Sequence, residues 1–475
     1  MDYHRITMTK FRVKGQIFAV LAASVNLVST GYHFGWLSPS LAKLQAKDSD
    51  FPVTSSQISW IASFHLIGSI FGSIGALSLI EKFGRRTILL WTSVPHILSC
   101  LIIASANNYW SLYIARFIAG IAIGVVFSAA PMYIGEVTED RLRGGLSSLM
   151  SVMMNFGFLI PYSIGPWTSR PILAGVGAVI PVFYVLIFFW VPESPYYHAM
   201  KNREYMIKKS LMWLRGTSDV DDEVRTICNS VAEASGRTGT TKDLFAKKGN
   251  RKAFIIVNGL LTCQQFSGIT AFLAYSTIIF NEAETKITSS FAVIITGIIL
   301  FVIAILVIFL ADKAGRRPLL LGSTSLCAVF LSGVGAYFHL RENGHDVSRI
   351  SWIAVASTVG YLICFSSGIG TLPLGMSTEM FACEIKSIAF TYSTIYLSLL
   401  GVLVTKLYQM VTDAYGIHVA FYIFSGCSAL STVFVYFVVP ETKRRSLKDI
   451  QTELRGKIAD NVTETMMPLS ETATN

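Results

Sequence analysis

Two adjacent amides, Gln264 and Gln265, lie inside an apolar stretch and are followed by Phe266-Ser267-Gly268. Each amide carries donors and acceptor lone pairs. Such a pair suits a hydroxyl-rich solute, and Thr270 and Tyr275 extend the polar set. Polar groups in hydrocarbon are costly and tend to face the interior of a helix bundle. Hydrogen bonding between helices is the alternative use of the same groups. The two glutamines sit about 100° apart around one helix, so at most one points straight into a cavity.

A second set of residues is ionic and occurs twice. Glu81-Lys82-Phe83-Gly84-Arg85-Arg86 is echoed by Asp312-Lys313-Ala314-Gly315-Arg316-Arg317. Glu136 precedes Arg143 by seven residues, as Glu379 precedes Lys386. Pro192-Glu193-Ser194-Pro195 is echoed by Pro440-Glu441-Thr442-Lys443. Three pairs in one order, offset by 231 to 248 residues, imply two homologous halves. Arginine grips a carboxylate through two parallel hydrogen bonds. Arg86, Glu136, Arg143, Arg317, Glu379 and Lys386 are therefore expected to pair across the halves at the inner face, as a latch that breaks on opening. The alternative is that they only set topology. Two further features bear on mechanism. Pro373 within Gly368-Ile369-Gly370-Thr371-Leu372-Pro373-Leu374-Gly375 weakens a helix, as a gate or as an ordinary kink. Arg116 is the most buried candidate cation, and His33 is its expected acceptor, as a coupling group or as a satisfied interior histidine.

The elements that carry these residues are membrane spans. The chain has 475 residues, of which 52% are hydrophobic and only 14% charged, and its mean hydropathy is +0.54. A soluble domain carries nearer a quarter charged residues. Crossing hydrocarbon takes about 20 mainly apolar residues. Twelve such runs occur, near 16–37, 57–80, 87–106, 111–134, 146–166, 171–191, 253–280, 288–311, 318–339, 352–378, 387–411 and 417–439. Backbone groups in lipid must bond internally, so each run is a helix. The one long polar stretch, roughly 194–252, reads as short amphipathic helices and a flexible tract, Ala234 to Thr241. The expected divisions are 1–15 for an N-terminal tail, 16–191 for one half, 192–252 for the linker, 253–439 for the second half and 440–475 for a C-terminal tail.

Charge fixes the expected orientation. With the N-terminus inside, the N-terminal tail and short inner loops hold thirteen Lys and Arg against six on the outer loops. Both termini are therefore expected in the cytoplasm. The net charge of +10 has the same cause and does not indicate nucleic acid. The seven cysteines have no CxxC spacing, and no disulfide or metal site is inferred. There is no nucleotide loop and no nucleophile with a base, so catalysis and cofactors are not expected. Asn461-Val462-Thr463 matches a glycosylation pattern but falls on the inner tail, where it should stay unmodified.

In order and spacing, Gly84-Arg85-Arg86, Pro131-Met132-Tyr133-Ile134-Gly135-Glu136, Arg143-Gly144, Pro192-Glu193-Ser194-Pro195, the Gln264-Gln265 motif, Asp312 to Arg317 and Pro440 to Arg445 resemble the sugar porter family of the major facilitator superfamily. Within it, Ser38-Pro39, Leu79-Ile80-Glu81 and Val404-Thr405-Lys406 resemble the insect facilitated trehalose transporter group. The resemblance implies an all-α major facilitator fold of twelve transmembrane helices in two six-helix halves with a cytoplasmic helical linker. It implies a central sugar site with Gln264 and Gln265 as main ligands, and the inner salt-bridge cluster named above. Five positions depart from the family pattern: Thr270 for an asparagine, Leu374 for a tryptophan, Leu397-Ser398 for Asn-Trp, and Ser151 for a glutamine. His33 replaces the acid of proton-coupled members, which favours passive transport. The expected protein is a plasma-membrane facilitator for a sugar, trehalose or a hexose, working as a monomer in the bilayer. Two other readings stay open: a non-transporting sugar sensor, and a transporter of a less polar solute.

Overall fold

The computed structural model describes residues 14–46, 51, 53–235, 241–283, 288–347, 349–381, 385–443 and 453. Most of the expected N-terminal tail, most of the C-terminal tail and Asn461 lie outside the described residues. Among the described residues the secondary structure is helical, with no strand. Span one is Lys14–Gly35, continued by Leu37–Gln45. Span two is Ser55–Phe83, and span three is Arg85–Trp91 with Ser93–Ala104. Spans four, five and six are Tyr109–Val137, Asp140–Ile164 and Arg170–Phe188. Span seven is Lys248–Phe266 with Ile269–Glu282. Spans eight and nine are Ser289–Ala314 and Arg316–Glu342. Span ten is Ser351–Ser367 with Leu372–Met380, and spans eleven and twelve are Lys386–Tyr415 and Ile417–Val438.

Eleven of these are long and apolar enough to cross a membrane unaided. Span ten is the exception, because its apolar first segment, Ser351–Ser367, ends at a break and needs Leu372–Met380 to finish the crossing. Large apolar side chains such as Phe71, Leu186, Phe309 and Phe437 face outward, while Gln16, Asn26, His65 and Arg116 are buried. A bilayer imposes this arrangement, because lipid tails solvate apolar side chains and leave polar ones to find partners inside.

Small residues let the helices of the first half approach closely. Gly68 and Gly72 of span two face Gly120 and Gly124 of span four. A Cβ on Gly120 would lie 2.1 Å from the carbonyl oxygen of His65 and 2.8 Å from Cα of Gly68. This is the small-residue packing that replaces hydrophobic association in lipid. The halves meet where span two packs on span eleven, span five on span eight, and Leu37–Gln45 on the second segment of span seven.

The duplication seen in the sequence holds at the level of single bonds. Gly84 (φ 93°) and Gly315 (φ 94°) each end one span and begin the next in nearly the same conformation. Glu193 accepts from the N–H groups of Arg86, at 2.9 and 3.1 Å, and Thr87. Glu441 accepts from the N–H groups of Arg316 and Arg317, each at 3.1 Å. Each carboxylate thus serves donors at a helix N-terminus, where the backbone leaves them unpaired. Arg86 also donates to the carbonyl of Phe189, and Arg317 to that of Tyr436 at 2.6 Å.

The linker forms helices Pro195–Met200, Glu204–Arg215, Asp221–Ser235 and Thr241–Ala246. Its anchor is Arg215, which is buried. It bonds Glu223 at 2.7 Å, Gln16 at 3.3 Å and the carbonyl of Val137 at 2.9 Å. The linker, Gly84 and Gly315 therefore share one end of the bundle with Lys14 and Lys443; this is the tail side, and the opposite end is the far side.

Gly84→Ala tests the turn. The added Cβ would lie 2.4 Å from Glu193 Oε2 at a φ that side chains rarely adopt. The expected loss is about 1–3 kcal/mol. Gly135→Ala, with nothing within 4 Å of its Cβ, should be neutral or slightly stabilising. Thermal unfolding of the two purified variants in detergent separates these outcomes.

Candidate functional site

Two helix breaks face one another in the second half, and the residues around them bind each other's backbone. Span seven breaks at Ser267-Gly268, where Gly268 has φ 83°. Span ten breaks at Gly368 to Thr371. Nε2 of Gln264 donates to the carbonyl of Gly370 at 3.0 Å, from span seven to the break in span ten. The hydroxyl of Tyr361 donates to the carbonyl of Ser267 at 3.1 Å, from span ten to the break in span seven. Ser323 of span nine completes the repair. It donates to Cys364 O at 2.7 Å and accepts the N–H of Ile369 at 3.0 Å. Broken helices at membrane depth persist only where such partners exist, and they commonly line a cavity.

This geometry answers several expectations. Gln265 is buried and accepts from Thr270 Oγ1 at 2.5 Å. Both amides and Thr270 are therefore at one place, beside the break. Tyr275 is not with them. Its ring lies 5.1 Å from that of Tyr408, tilted by 37°, in a far-side cleft that also holds Gln45, Ile58 and Ile417. Ser151 gives its carbonyl to Asn155 at 2.8 Å in span five. Pro373 does not kink a continuous helix but stands in the first turn of a new one, where its missing N–H would go unbonded anyway. The side chain of Leu374 lies outside the described residues. A second cleft opens between spans seven, ten and eleven, lined by Val257, Leu261, Pro373, Phe390, Thr394 and Leu397.

Sequence reasoning missed the break at Gly268 and the partners Tyr361 and Ser323. The signal for the break was present, since a glycine after a serine inside an apolar run is a weak point in a helix. No signal pointed to Tyr361 or Ser323, because hydroxyl residues are common in apolar spans. It also missed Thr262 and Tyr396, whose hydroxyls meet at 2.9 Å between spans seven and eleven.

The halves are laced together toward the far side. Ser38 Oγ meets Ser276 Oγ at 2.8 Å and Thr277 Oγ1 at 2.6 Å, and accepts the N–H of Thr277 at 3.0 Å. Tyr162 donates to the carbonyl of Leu273 at 3.0 Å. Ser398 donates to Ser69 at 3.2 Å near mid-span. Lys406 donates to Ser59 at 2.7 Å and sits 3.6 Å from the ring centroid of Trp60.

At the tail side the bonds that Glu136, Arg86 and Arg317 make among the described residues lie within their own halves. Glu136 is held by Arg85 Nη2 at 3.0 Å and by the hydroxyl of Ser194. Arg86 and Arg317 hold the ends of their own halves, as described above. The reason is distance along the fold: the Gly-Arg-Arg turn and the Pro-Glu loop close the same six-helix unit. The side chains of Arg143, Glu379 and Lys386 lie outside the described residues. The two capping carboxylates differ in exposure. Burial raises the carboxyl of Glu193 above its ordinary range despite the N–H groups of Arg86, Ser194 and Thr87. Burial acts in the same direction on Glu441, but the combined N–H groups of Lys443, Arg316, Arg317 and Thr442 carry it below that range.

Arg116 is fully buried and does find His33, but through the backbone. Nη1 donates to the carbonyl of His33 at 2.7 Å, and Nδ1 of the His33 ring has no partner among the described residues. The ring acceptor expected from the sequence is thus replaced by a carbonyl.

A family model described as "Sugar (and other) transporter" matches residues 8–454. The chain belongs to this sugar transporter family. It is 33% identical over 459 residues to a facilitated trehalose transporter Tret1-2 homolog of Drosophila simulans, covering 96% of this chain and 94% of that protein. It is 32% identical over 462 residues to the facilitated trehalose transporter Tret1 of Polypedilum vanderplanki, covering 96% and 92%. It spans about half, 54%, of the Drosophila yakuba protein of that name, at 32% identity. Among solved structures, the proton:xylose symporter XylE bound to 6-bromo-6-deoxy-D-glucose aligns at TM-score 0.77 and 21% identity, over 92% of this chain and 99% of that one. An inward-open form of XylE aligns at TM-score 0.74 and 22% identity, over the same shares. The fold is accordingly that of the major facilitator superfamily, and the transporter has no enzymatic relatives among these.

Lys406→Met removes a hydrogen bond and a cation–π contact from the far-side seam. These are worth about 0.5–1.5 and 0.5–2 kcal/mol, so the far-side-open population should rise by roughly 5- to 300-fold. Labelling of a Thr277→Cys reporter by a membrane-impermeant thiol reagent reads that population. Unchanged labelling would remove Lys406 from the seam.

Proposed function

We propose that this transporter moves a sugar of the hexose or trehalose class across the plasma membrane, down its gradient, by alternating access. The observation that carries the reading is the polar cluster at the paired helix breaks, Gln264, Gln265 and Thr270, in a chain of the sugar transporter family. In alternating access the two halves rock about a site between them. The far-side seam is the closed gate of one state. Among the described residues the bonds of Arg86, Glu136 and Arg317 stay inside one half, which supports each half moving as a unit. The tail side is cytoplasmic on this reading, as the lysine and arginine bias implies, and the functional unit is a monomer.

On sugar binding, Gln265 exchanges its bond to Thr270 for a sugar hydroxyl. The exchange is nearly neutral in hydrogen-bond number, so affinity rests on how well the cluster fits the sugar. Gln264 has a second duty, since it also satisfies the Gly370 carbonyl. A reading as a transporter of a less polar solute is favoured by one observation, the largely apolar cleft around Val257, Leu261, Phe390 and Leu397.

Uptake of labelled trehalose, glucose and xylose into proteoliposomes tests the substrate. Gln265→Ala should raise KM by roughly 2- to 13-fold at normal reconstitution, the equivalent of one neutral hydrogen bond. Gln264→Ala should lower the maximal rate as well, because it leaves the Gly370 carbonyl bare. Parent-like kinetics in both variants would favour the less polar solute.

The same vesicles test coupling. With His33 where an acid would be needed beside Arg116, uptake should proceed unchanged after a protonophore collapses the pH gradient. Sugar-driven alkalinisation of the outer medium would show the passive reading to be wrong.

A further inference from the structure

We propose that the first half holds a small monovalent inorganic anion, of the halide class, between spans one, two, three and four, against Arg116, His33, His65 and His96. The starting point is a charge without a counter-charge. Arg116 is 0% exposed. Its guanidinium is not deprotonated in proteins. Nη1 is bonded to a backbone carbonyl, and the group sits 5.5 Å from the ring centroid of Trp36. Nε and Nη2 have no hydrogen-bond partner among the described residues. A carbonyl and an aromatic face supply partial charge only, and a buried ion needs full compensation.

Among the described residues the spans around Arg116 offer no carboxylate near it. The four spans that surround Arg116 contain two acids, Glu81 and Glu136, both at the tail-side ends. Glu136 is twenty residues along the same helix from Arg116, about 30 Å at 1.5 Å per residue. It is already held by Arg85 and Ser194. The other groups that face the guanidinium are His33, His65 and the thiol of Cys100, with His96 stacked on His33 at 5.0 Å.

The second observation is a group of buried N–H-bearing rings without partners beside this charge. His33, His65 and His96 are 1%, 0% and 0% exposed. Both ring nitrogens of His96, Nδ1 of His33 and Nε1 of Trp36 lack partners among the described residues, while the His65 ring lies within reach of the Ala62 carbonyl. Buried polar groups are ordinarily satisfied. Each imidazole has at least one N–H, the indole one, and the free part of the guanidinium three. A cation is repelled by this set. A bound water would accept some of these hydrogens and leave the charge in place. A compact anion accepts from several N–H groups at once and neutralises the guanidinium. Its role is that of a fixed counter-ion that ties spans one to four into one moving body.

Thermal unfolding of the purified full chain in detergent tests this at constant ionic strength, with sodium chloride, bromide or nitrate compared with gluconate. Chloride should raise the melting temperature saturably, by about 2–4 °C or more, and labelled chloride should bind with a stoichiometry near one. Arg116→Gln should abolish both effects. His33→Asp places a carboxylate beside Arg116, and should melt in gluconate as high as the parent does in chloride, with no further gain from chloride. Equal melting of the parent in chloride and gluconate overturns the proposal, because water alone then serves the donors. A chloride effect that survives in Arg116→Gln, or in His33→Asp if the first variant does not fold, overturns it too. A chloride-independent parent that Cys100→Ser destabilises assigns the counter-charge to a thiolate instead.

Discussion

Every backbone N–H and C=O of this chain that lies in hydrocarbon needs a partner from the protein itself. A continuous helix meets that demand locally. Each departure from one must be repaired by a neighbour, and the repairs cluster at the proposed site. Span seven and span ten both break, and each supplies a side chain to the other's bare carbonyl: Gln264 to Gly370, and Tyr361 to Ser267. The residues best placed to meet a solute are thus also the residues that keep the broken helices in place. The two breaks are joined by two hydrogen bonds, of which that of Tyr361 is buried and that of Gln264 partly so.

The same constraint governs the ends of the helices. At Gly84 and Gly315 one span stops and the next begins within a single residue, so backbone donors are exposed at the membrane surface. Glu193 and Glu441 answer them, each from the loop that follows the last span of its half. Closing the half on itself in this way makes the six helices a rigid unit. Among the described residues, the bonds of Glu193, Glu441 and the neighbouring arginines stay within a half, and joining the halves is left to other groups. That task falls at the far side to hydroxyls and to Lys406, whose bonds are individually modest. A seam built of weak bonds between stiff bodies suits a protein that must open and close without unfolding.

The sequence by itself determined the architecture. Twelve apolar runs and three repeated motifs suffice for a duplicated helical membrane protein, because length and polarity alone decide whether a segment can cross lipid. The spacing also marked Gln264 and Gln265, since two amides in an apolar run have few uses. The tertiary structure decided which partner each polar group has. The charges at Glu136, Arg86 and Arg317 read as latches between halves, and the bonds they make among the described residues lie within their own half. Tyr275 looked like a neighbour of the glutamines and lies instead with Tyr408. His33 looked like a ring acceptor for Arg116 and offers its carbonyl. In each case composition specifies that a group must be satisfied, while geometry alone selects the atom that satisfies it. A hydrogen bond is sensitive to shifts of a few tenths of an ångström, and such distances are set by helix packing that no local pattern encodes.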